Sequence, residues 1–151
     1  MPEPLEHYLC KLNKIVTYPV KVDLSLTLPK ALDLTGRWQI IESGVLDGAP
    51  LPKSAKIDIT FFNFKTPVSN QEVLLKSQTE KIILIDPITL CCFNAAYPDF
   101  SAEHHHSTIW QFDREWRCII FGISEGRPFV KVQTKKGPWP GRSLFTGHDN
   151  L

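Results

Sequence analysis

The sequence predicts an all-β protein that forms a single up-and-down antiparallel β-barrel of about eight strands. Short apolar segments recur from Gly36 to Thr134, turn residues separate them, and no helical period lies between them. Because the connections are short, antiparallel pairing of sequential strands is the simplest topology. We therefore expect less than about 15% helix, against a usual ~30–35%.

The eight predicted strands alternate with turn signals. In the second, Ile57, Ile59 and Phe61 alternate with polar residues, as in a strand with one buried face. Asp113-Arg114 is the two-residue turn of a hairpin between the sixth and seventh strands. In chain order the strands are residues 36–43, 56–64, 71–76, 81–85, 88–95, 106–112, 115–123 and 128–134.

On this interpretation residues 32–134 are the barrel, residues 1–31 are an N-terminal arm and residues 135–151 are a C-terminal tail. The arm would begin with a short helix in Met1–Lys14, followed by a β-rich segment in which Pro19 favours an edge strand. The tail is rich in Gly, Pro and basic residues, so we expect it to be irregular.

The triplet Gly36-Arg37-Trp38, at the head of the first predicted strand, resembles the Gly-x-Trp signature of lipocalins and the wider calycin superfamily. The eight strands that begin there match the lipocalin barrel count. The resemblance, which covers residues 32–134, implies that Trp38 is buried at one barrel end beneath a basic residue. Candidates for that basic residue are Lys135, Lys136 and Arg142. Typical lipocalins carry a secretory signal, a disulfide and a long C-terminal helix that are missing here, so the chain resembles an intracellular lipocalin-like domain.

Charge and cysteine content indicate a cytoplasmic protein. The 17 basic and 16 acidic side chains give a net charge of +1, which provides no global field to attract nucleic acid or an anionic membrane. No apolar run approaches the ~20 residues of a membrane span, and the first 14 residues do not form a secretory signal. The four cysteines contain no Cys-x-x-Cys pair, which favours reduced thiols over disulfides or zinc.

Nucleic acid is not expected as a partner, because only Lys131–Arg142 offers a local basic patch. This segment combines four basic residues with Trp139. It could bind an acidic partner or single-stranded nucleic acid through charge and stacking. We favour the alternative, a strap across the barrel mouth with Trp139 packed against it.

The run His104-His105-His106 is the only histidine cluster. On a strand, His104 and His106 would share a face and could chelate a metal if Glu103 or Cys92 supplied a third ligand. A single pocket histidine acting as a general base or haem ligand is a second alternative. We favour a solvated loop, and therefore predict no metal site.

The leading functional hypothesis is that a small hydrophobic or amphipathic ligand binds in the barrel interior. If the barrel is hollow, inward aromatic residues line its cavity; if it is filled, they form the core. The predicted ligand-binding residues are Trp38, Phe61, Phe93, Trp110, Trp116, Cys118 and Val130.

Two other functions remain open. One is a lyase or isomerase that uses a polar group in the same pocket, and the other is a filled barrel that presents its faces to a macromolecule, as a monomer or homodimer. The sequence contains no Ser-His-Asp signature, phosphate loop or dinucleotide fingerprint. We therefore assign no catalytic residue and no cofactor.

Overall fold

A mixed β-sheet runs through residues 11–150, the part of the chain that the computed structural model describes. The strands are β1 (Leu12–Lys21), β2 (Trp38–Ile41), β3 (Lys56–Phe64), β4 (Ile82–Leu84), β5 (His106–Phe112), β6 (Glu115–Ser124), β7 (Arg127–Thr134) and β8 (Leu144–Asp149). The helices are α1 (Leu28–Leu34), α2 (Asn70–Thr79), α3 (Pro87–Ala96) and α4 (Phe100–Glu103). Strands make up 42% and helices 22% of these residues, so a mostly β protein is confirmed and the expected helix content was too low.

The sheet is not closed into a barrel, and it is not up-and-down antiparallel. Its strand order is β1-β3-β8-β5-β6-β7-β2, with β4 paired to β8. Strand β2 runs parallel to β7, and β8 runs parallel to β5. Both parallel pairs follow from long connections, since the segments between their partners carry helices and other strands.

The segment predicted as the third strand is helix α2. A capping box begins it, because the Ser69 hydroxyl accepts the Glu72 N–H at 3.1 Å and the Glu72 carboxylate accepts the Ser69 N–H at 3.0 Å. The buried residues Asn70, Val73 and Ser77 recur at helical spacing. The Ser-x-x-Glu signal was visible in the sequence and outweighs the short segment between turn signals that was interpreted as a strand.

The segment predicted as the fifth strand is helix α3. Asp86 caps it by accepting the Thr89 N–H at 2.8 Å, and Pro87 occupies its first turn, where a missing N–H costs nothing. An Asp-Pro pair marks a helix start as well as a turn, and a continuous apolar run is compatible with a buried helix or a buried strand. Within residues 11–150, no helix is long and apolar enough to cross a membrane.

The arm and the tail both contribute strands to the sheet. Strand β1 pairs only with β3 and forms an edge, as Pro19 predicted. Strand β8 lies in the middle of the sheet, so the expectation of a wholly irregular tail was wrong. A Cβ atom on Gly147 would lie 2.4 Å from Ile82 Cγ2, so glycine allows β4 to approach β8. Most of the predicted N-terminal helix falls on residues 1–10, outside the described residues.

The predicted hairpin at Asp113-Arg114 is confirmed. Strands β5 and β6 pair in antiparallel register on either side of it, with Phe112 opposite Glu115. Asp113 and Arg114 have φ values of 50° and 64°, the left-handed conformation that a tight hairpin turn requires at both central positions.

The sheet has two faces with separate cores. The front face is covered by helices α1, α3 and α4, and it packs Phe61 against Phe93 with ring centroids 5.0 Å apart. The back face is covered in part by α2, through Val73, and by the segment around Trp139. Each core is continuous along alternate residues of the same strands, so each strand contributes to both.

The segment around Trp139 is a strap, as we expected, although it crosses an open sheet. Trp139 is 5% exposed and packs edge-on against Phe145, with ring centroids 5.2 Å apart. Its indole N–H donates to the Asn70 side-chain oxygen at 2.7 Å, and the Asn70 amide donates to the Lys135 carbonyl at 3.0 Å. The indole is therefore not available for stacking on a ligand.

The expectation that Trp38 is buried was wrong, because its side chain is 43% exposed. Its neighbour Arg37 is 8% exposed and contacts the front face. Consecutive residues in extended backbone point to opposite faces, so burial of Arg37 turns Trp38 outward on the back face. The basic group over Trp38 is Arg127, 4.3 Å from its ring centroid, rather than a basic residue of the tail.

We expect Asn70→Ala to lower the free energy of unfolding by about 1–3 kcal/mol, since it leaves the buried indole N–H of Trp139 without an acceptor. Guanidinium chloride denaturation measures this loss. Asn13→Ala is the control, because the Asn13 amide makes only a solvent-exposed bond of 3.5 Å. Equal losses for the two variants would contradict the proposed role of Asn70.

Candidate ligand-binding cleft

A cleft of about 280 Å³ opens where β3, β4 and the start of α3 meet the loop before β3. Its walls are mainly aliphatic. Two of them, Leu51 and Ile83, are 69% and 44% exposed at the rim. The cleft is lined by Pro50, Leu51, Lys53, Ser54, Ile57, Ile83, Leu84, Ile85, Asp86, Thr89, Ile109 and His148. An apolar concavity with a few polar groups is the usual form of a small-molecule site.

Two basic side chains border this cleft. Lys53 makes no hydrogen bond or ion pair with any other described residue. His148 uses Nδ1 in a 3.0 Å hydrogen bond with the Asp149 carbonyl, which leaves Nε2 unengaged. Lys53 could therefore bind the anionic end of a ligand whose apolar part lies against the aliphatic walls, and His148 Nε2 offers a further polar atom in the same cleft.

The carboxyl group of Asp86 also borders the cleft, but the helix cap uses both of its oxygens. One accepts the Thr89 N–H at 2.8 Å and the other accepts the Thr89 hydroxyl at 2.6 Å. Burial raises the pKa of Asp86, while the bonds from Thr89 oppose this shift. The carboxylate therefore serves to start α3.

The residues predicted to bind a ligand do not surround one cavity. Phe61, Phe93, Trp110 and Val130 are buried together in the front core. Cys118 is fully buried on the back face, where Trp116 is half-buried and Trp38 is exposed. The sheet separates the two groups, and no member of either lines the cleft. Their role in ligand binding stays a prediction.

The histidine cluster does not form a metal site within the described residues. His104 is exposed, and His105 accepts the Ile123 N–H at 3.1 Å. His106 is 1% exposed on the front face. Its Nδ1–H donates to the His104 carbonyl at 2.8 Å, and its Nε2 accepts from the Asn94 amide at 3.0 Å. Both ring nitrogens of His106 are therefore used inside the protein.

Asn94 connects His106 to a buried arginine, Arg37. The Arg37 guanidinium donates to the Ser101 hydroxyl at 2.6 Å, to the Pro98 carbonyl at 3.0 Å and to the Gly122 carbonyl at 3.2 Å. Longer bonds reach the Phe129 carbonyl at 3.4 Å and the Asn94 oxygen at 3.5 Å. None of the five acceptors is a carboxylate.

Burial keeps His106 neutral. Burial lowers the pKa of His106 to about 3, and the positive charge of Arg37 adds to the shift. Burial also lowers the pKa of Arg37, although a guanidinium remains protonated at any physiological pH. A neutral His106 with both nitrogens engaged is a structural residue rather than a general base.

The described cysteines offer no nucleophile. Cys91, Cys92 and Cys118 are free thiols, and two of them are fully buried. Burial raises the pKa of Cys118 to about 12 and raises the pKa values of Cys91 and Cys92. A reactive cysteine needs a lowered pKa. These three residues instead pack in or against the two hydrophobic cores.

Sequence reasoning missed the cleft because its members come from distant segments. Lys53 lies in a Pro-rich loop, and His148 lies in the segment expected to be an irregular tail. Asp86 was visible as part of an Asp-Pro turn, and recognition of that turn as a helix cap would have predicted a helix directly after β4. No local signal in the sequence connects Lys53 with His148.

We expect stability to fall as the pH drops from about 6.5 toward 3. The unfolded chain binds a proton at His106 near pH 6.5, whereas the folded chain does so only near pH 3, so acid favours unfolding. The slope should be ~1.4 kcal/mol per pH unit within this window. Denaturant unfolding of the wild type and of His106→Gln should show a shallower slope for the variant. His104→Gln, at an exposed site, is the control and should keep the wild-type slope.

No known protein family, curated protein or solved structure matches the chain. The resemblance to lipocalins therefore stays a prediction that rests on Gly36-Arg37-Trp38, and the function is argued from this chain's own geometry.

Proposed function

We propose that the protein binds a small amphipathic ligand, with an apolar body and an anionic head, in the cleft beside β4. The observation that carries the proposal is the pairing of exposed apolar side chains at the rim, Leu51 and Ile83, with two unengaged basic groups, Lys53 and His148. Apolar surface left exposed at the rim of a concavity is typical of a binding site. The proposed ligand belongs to the class that the sequence predicts, a small amphipathic molecule. Its proposed site is the cleft instead of a barrel interior.

The size of the cleft sets the ligand class. A volume of about 280 Å³ lies just below the ~300–1,000 Å³ of sites for drug-sized molecules, so we propose a short-chain carboxylate or a molecule of similar size. Aliphatic contact with Ile57 and Ile85 supplies affinity at roughly 25 cal/mol per Å² buried. An anionic head group bound to Lys53 orients the ligand in the cleft.

An enzymatic role remains a hypothesis without a candidate catalytic residue. Among the described residues, Asp86 is the only carboxylic acid that lines the cleft, and both of its oxygens accept hydrogen bonds from Thr89. A general base must lie within hydrogen-bond reach of the proton that it removes, and this carboxylate is held in the helix cap instead. Binding without turnover is the simpler function for this set of residues.

The proposal predicts that octanoate binds more tightly than octanol, because only the carboxylate is attracted by the charge of the Lys53 ammonium group. Isothermal titration calorimetry of the purified protein measures both affinities. Lys53→Glu should abolish the preference for octanoate, and Lys30→Glu, an exposed charge reversal on α1, should retain it. Equal affinity for the two probes, or an unchanged preference in Lys53→Glu, would contradict the role of the basic head site.

The aliphatic rim can be tested separately. Leu51→Ser should weaken octanoate binding by about fivefold, the equivalent of ~1 kcal/mol for a partly buried leucine. Leu34→Ser removes another exposed leucine, on α1, and should leave the affinity unchanged. Failure of octanoate to bind the wild type at all would overturn the proposed function.

A further inference from the structure

The back face of the sheet carries a row of aromatic rings near β2. Trp38 on β2 lies opposite Phe129 on β7, and Phe129 lies opposite Gly122 on β6. His105 approaches Phe129 edge-on, with ring centroids 5.9 Å apart. We call the three rings of Trp38, Phe129 and His105 the aromatic shelf.

Gly122 makes the aromatic shelf continuous. A Cβ atom at this position would lie 2.8 Å from His105 Nδ1 and 2.9 Å from Phe129 Cζ. The missing side chain lets both rings lie over β6. The shelf therefore extends across β2, β7 and β6.

The shelf lies open within residues 11–150. Trp38 is 43% exposed, Phe129 is half-buried and His105 is exposed. The one helix on the back face, α2, packs against β4 and the β8 side of the sheet, away from β2. Beside the shelf, Ile40 on β2 and Ile120 on β6 are also only half-buried. Apolar surface therefore extends along these two strands.

Most charged side chains around this part of the back face are basic. Alternation along β7 places Arg127 and Lys131 on the same face as Phe129. The corresponding positions of β6 and β2 carry no Asp or Glu. Beyond β6, a groove next to Trp116 is lined by three basic residues, Arg114, Lys135 and Lys136, and by one acidic residue, Glu115.

Within residues 11–150, three acidic side chains adjoin this surface. Glu42 follows β2, and its carboxylate accepts the Thr134 N–H at 2.8 Å. Glu125 lies in the turn between β6 and β7, and Glu115 is paired with Arg117 at 3.2 Å. The basic charge is therefore concentrated on the shelf and its groove, although the whole chain is nearly neutral.

We propose that the aromatic shelf binds single-stranded nucleic acid. One base stacks on Phe129 and another on the plate formed by Trp38 and the Arg127 guanidinium above it, since guanidinium planes stack on bases as aromatic rings do. The phosphates reach Lys131 and, farther along, Lys135 and Lys136. The sequence argued against this partner because its net charge is small, but folding gathers these basic residues around exposed rings.

Charge decides between nucleic acid and a second copy of the chain. A twofold interface places the same patch on both partners. Arg127 and Lys131 would then meet mainly like charges, because basic side chains outnumber acidic ones around the shelf. Single-stranded nucleic acid matches this surface in two ways. Its phosphates are attracted by the basic side chains, and its flat bases stack on the exposed rings.

Fluorescence anisotropy of labelled oligouridylate and oligothymidylate tests the proposal. We expect saturable binding that weakens as salt rises. Trp38→Ala should weaken it by about 5- to 150-fold, the equivalent of the ~1–3 kcal/mol attributed to stacking of one base. Arg127→Gln combined with Lys131→Gln should reduce the slope of log affinity against log salt by about 1.4, because each phosphate that a basic side chain neutralises adds ~0.7 to that slope.

Two controls separate the shelf from general effects. Leu75→Ala removes another exposed apolar side chain, on α2, and Lys30→Gln removes another exposed charge; both should leave binding unchanged. Circular dichroism and thermal melting should show that Trp38→Ala remains folded, because the removed ring is exposed.

Three results would overturn the proposal. The first is no saturable oligonucleotide binding at low salt. The second is equal affinity for polyglutamate and oligouridylate with no effect of Trp38→Ala, which would indicate charge attraction alone. The third is a dimer in sedimentation velocity that Trp38→Ala dissociates, which would assign the shelf to contact between copies.

Discussion

The arrangement of the β2 edge of the sheet depends on the hydrogen bonds that the buried Arg37 guanidinium donates. Strand β2 has only four residues and pairs with β7 alone, so its ladder holds it weakly. Arg37 ties the start of β2 to α4 through Ser101 and to β6 through the Gly122 carbonyl. A buried cation loses its hydration, so these hydrogen bonds must replace those to water. Strand β2 is therefore fixed at the position where all of them can form.

The position of Arg37 determines what the two faces of the sheet present. With Arg37 directed into the front core, Trp38 must lie on the back face beside Phe129. The front face is then closed by helices, while the β2 end of the back face stays open. The cleft lies at the other side of the molecule, next to β4, so the two proposed sites do not share residues and can be tested independently.

Features that depend on neighbouring residues could be predicted from the sequence. Features that depend on contacts between distant segments could not. Asp113-Arg114 and Pro19 act through their own backbone, so the hairpin and the edge strand could be predicted. Gly36-Arg37-Trp38 was misjudged because alternation permits either Arg37 or Trp38 to be buried, and only the acceptors on α4 and β6 select Arg37. Lys53 and His148 meet through the fold alone, which no spacing in the chain reveals.

The relative stability of Arg37→Met and Trp38→Ala tests this account most directly. Guanidinium chloride unfolding should show a loss of about 3 kcal/mol or more for Arg37→Met, because several buried carbonyl and hydroxyl groups lose their charged donor. Trp38→Ala should cost less than about 1 kcal/mol, as for a largely exposed side chain with one cation–π contact. A larger loss for Trp38→Ala than for Arg37→Met would contradict the assignment of Arg37 as the buried anchor of β2.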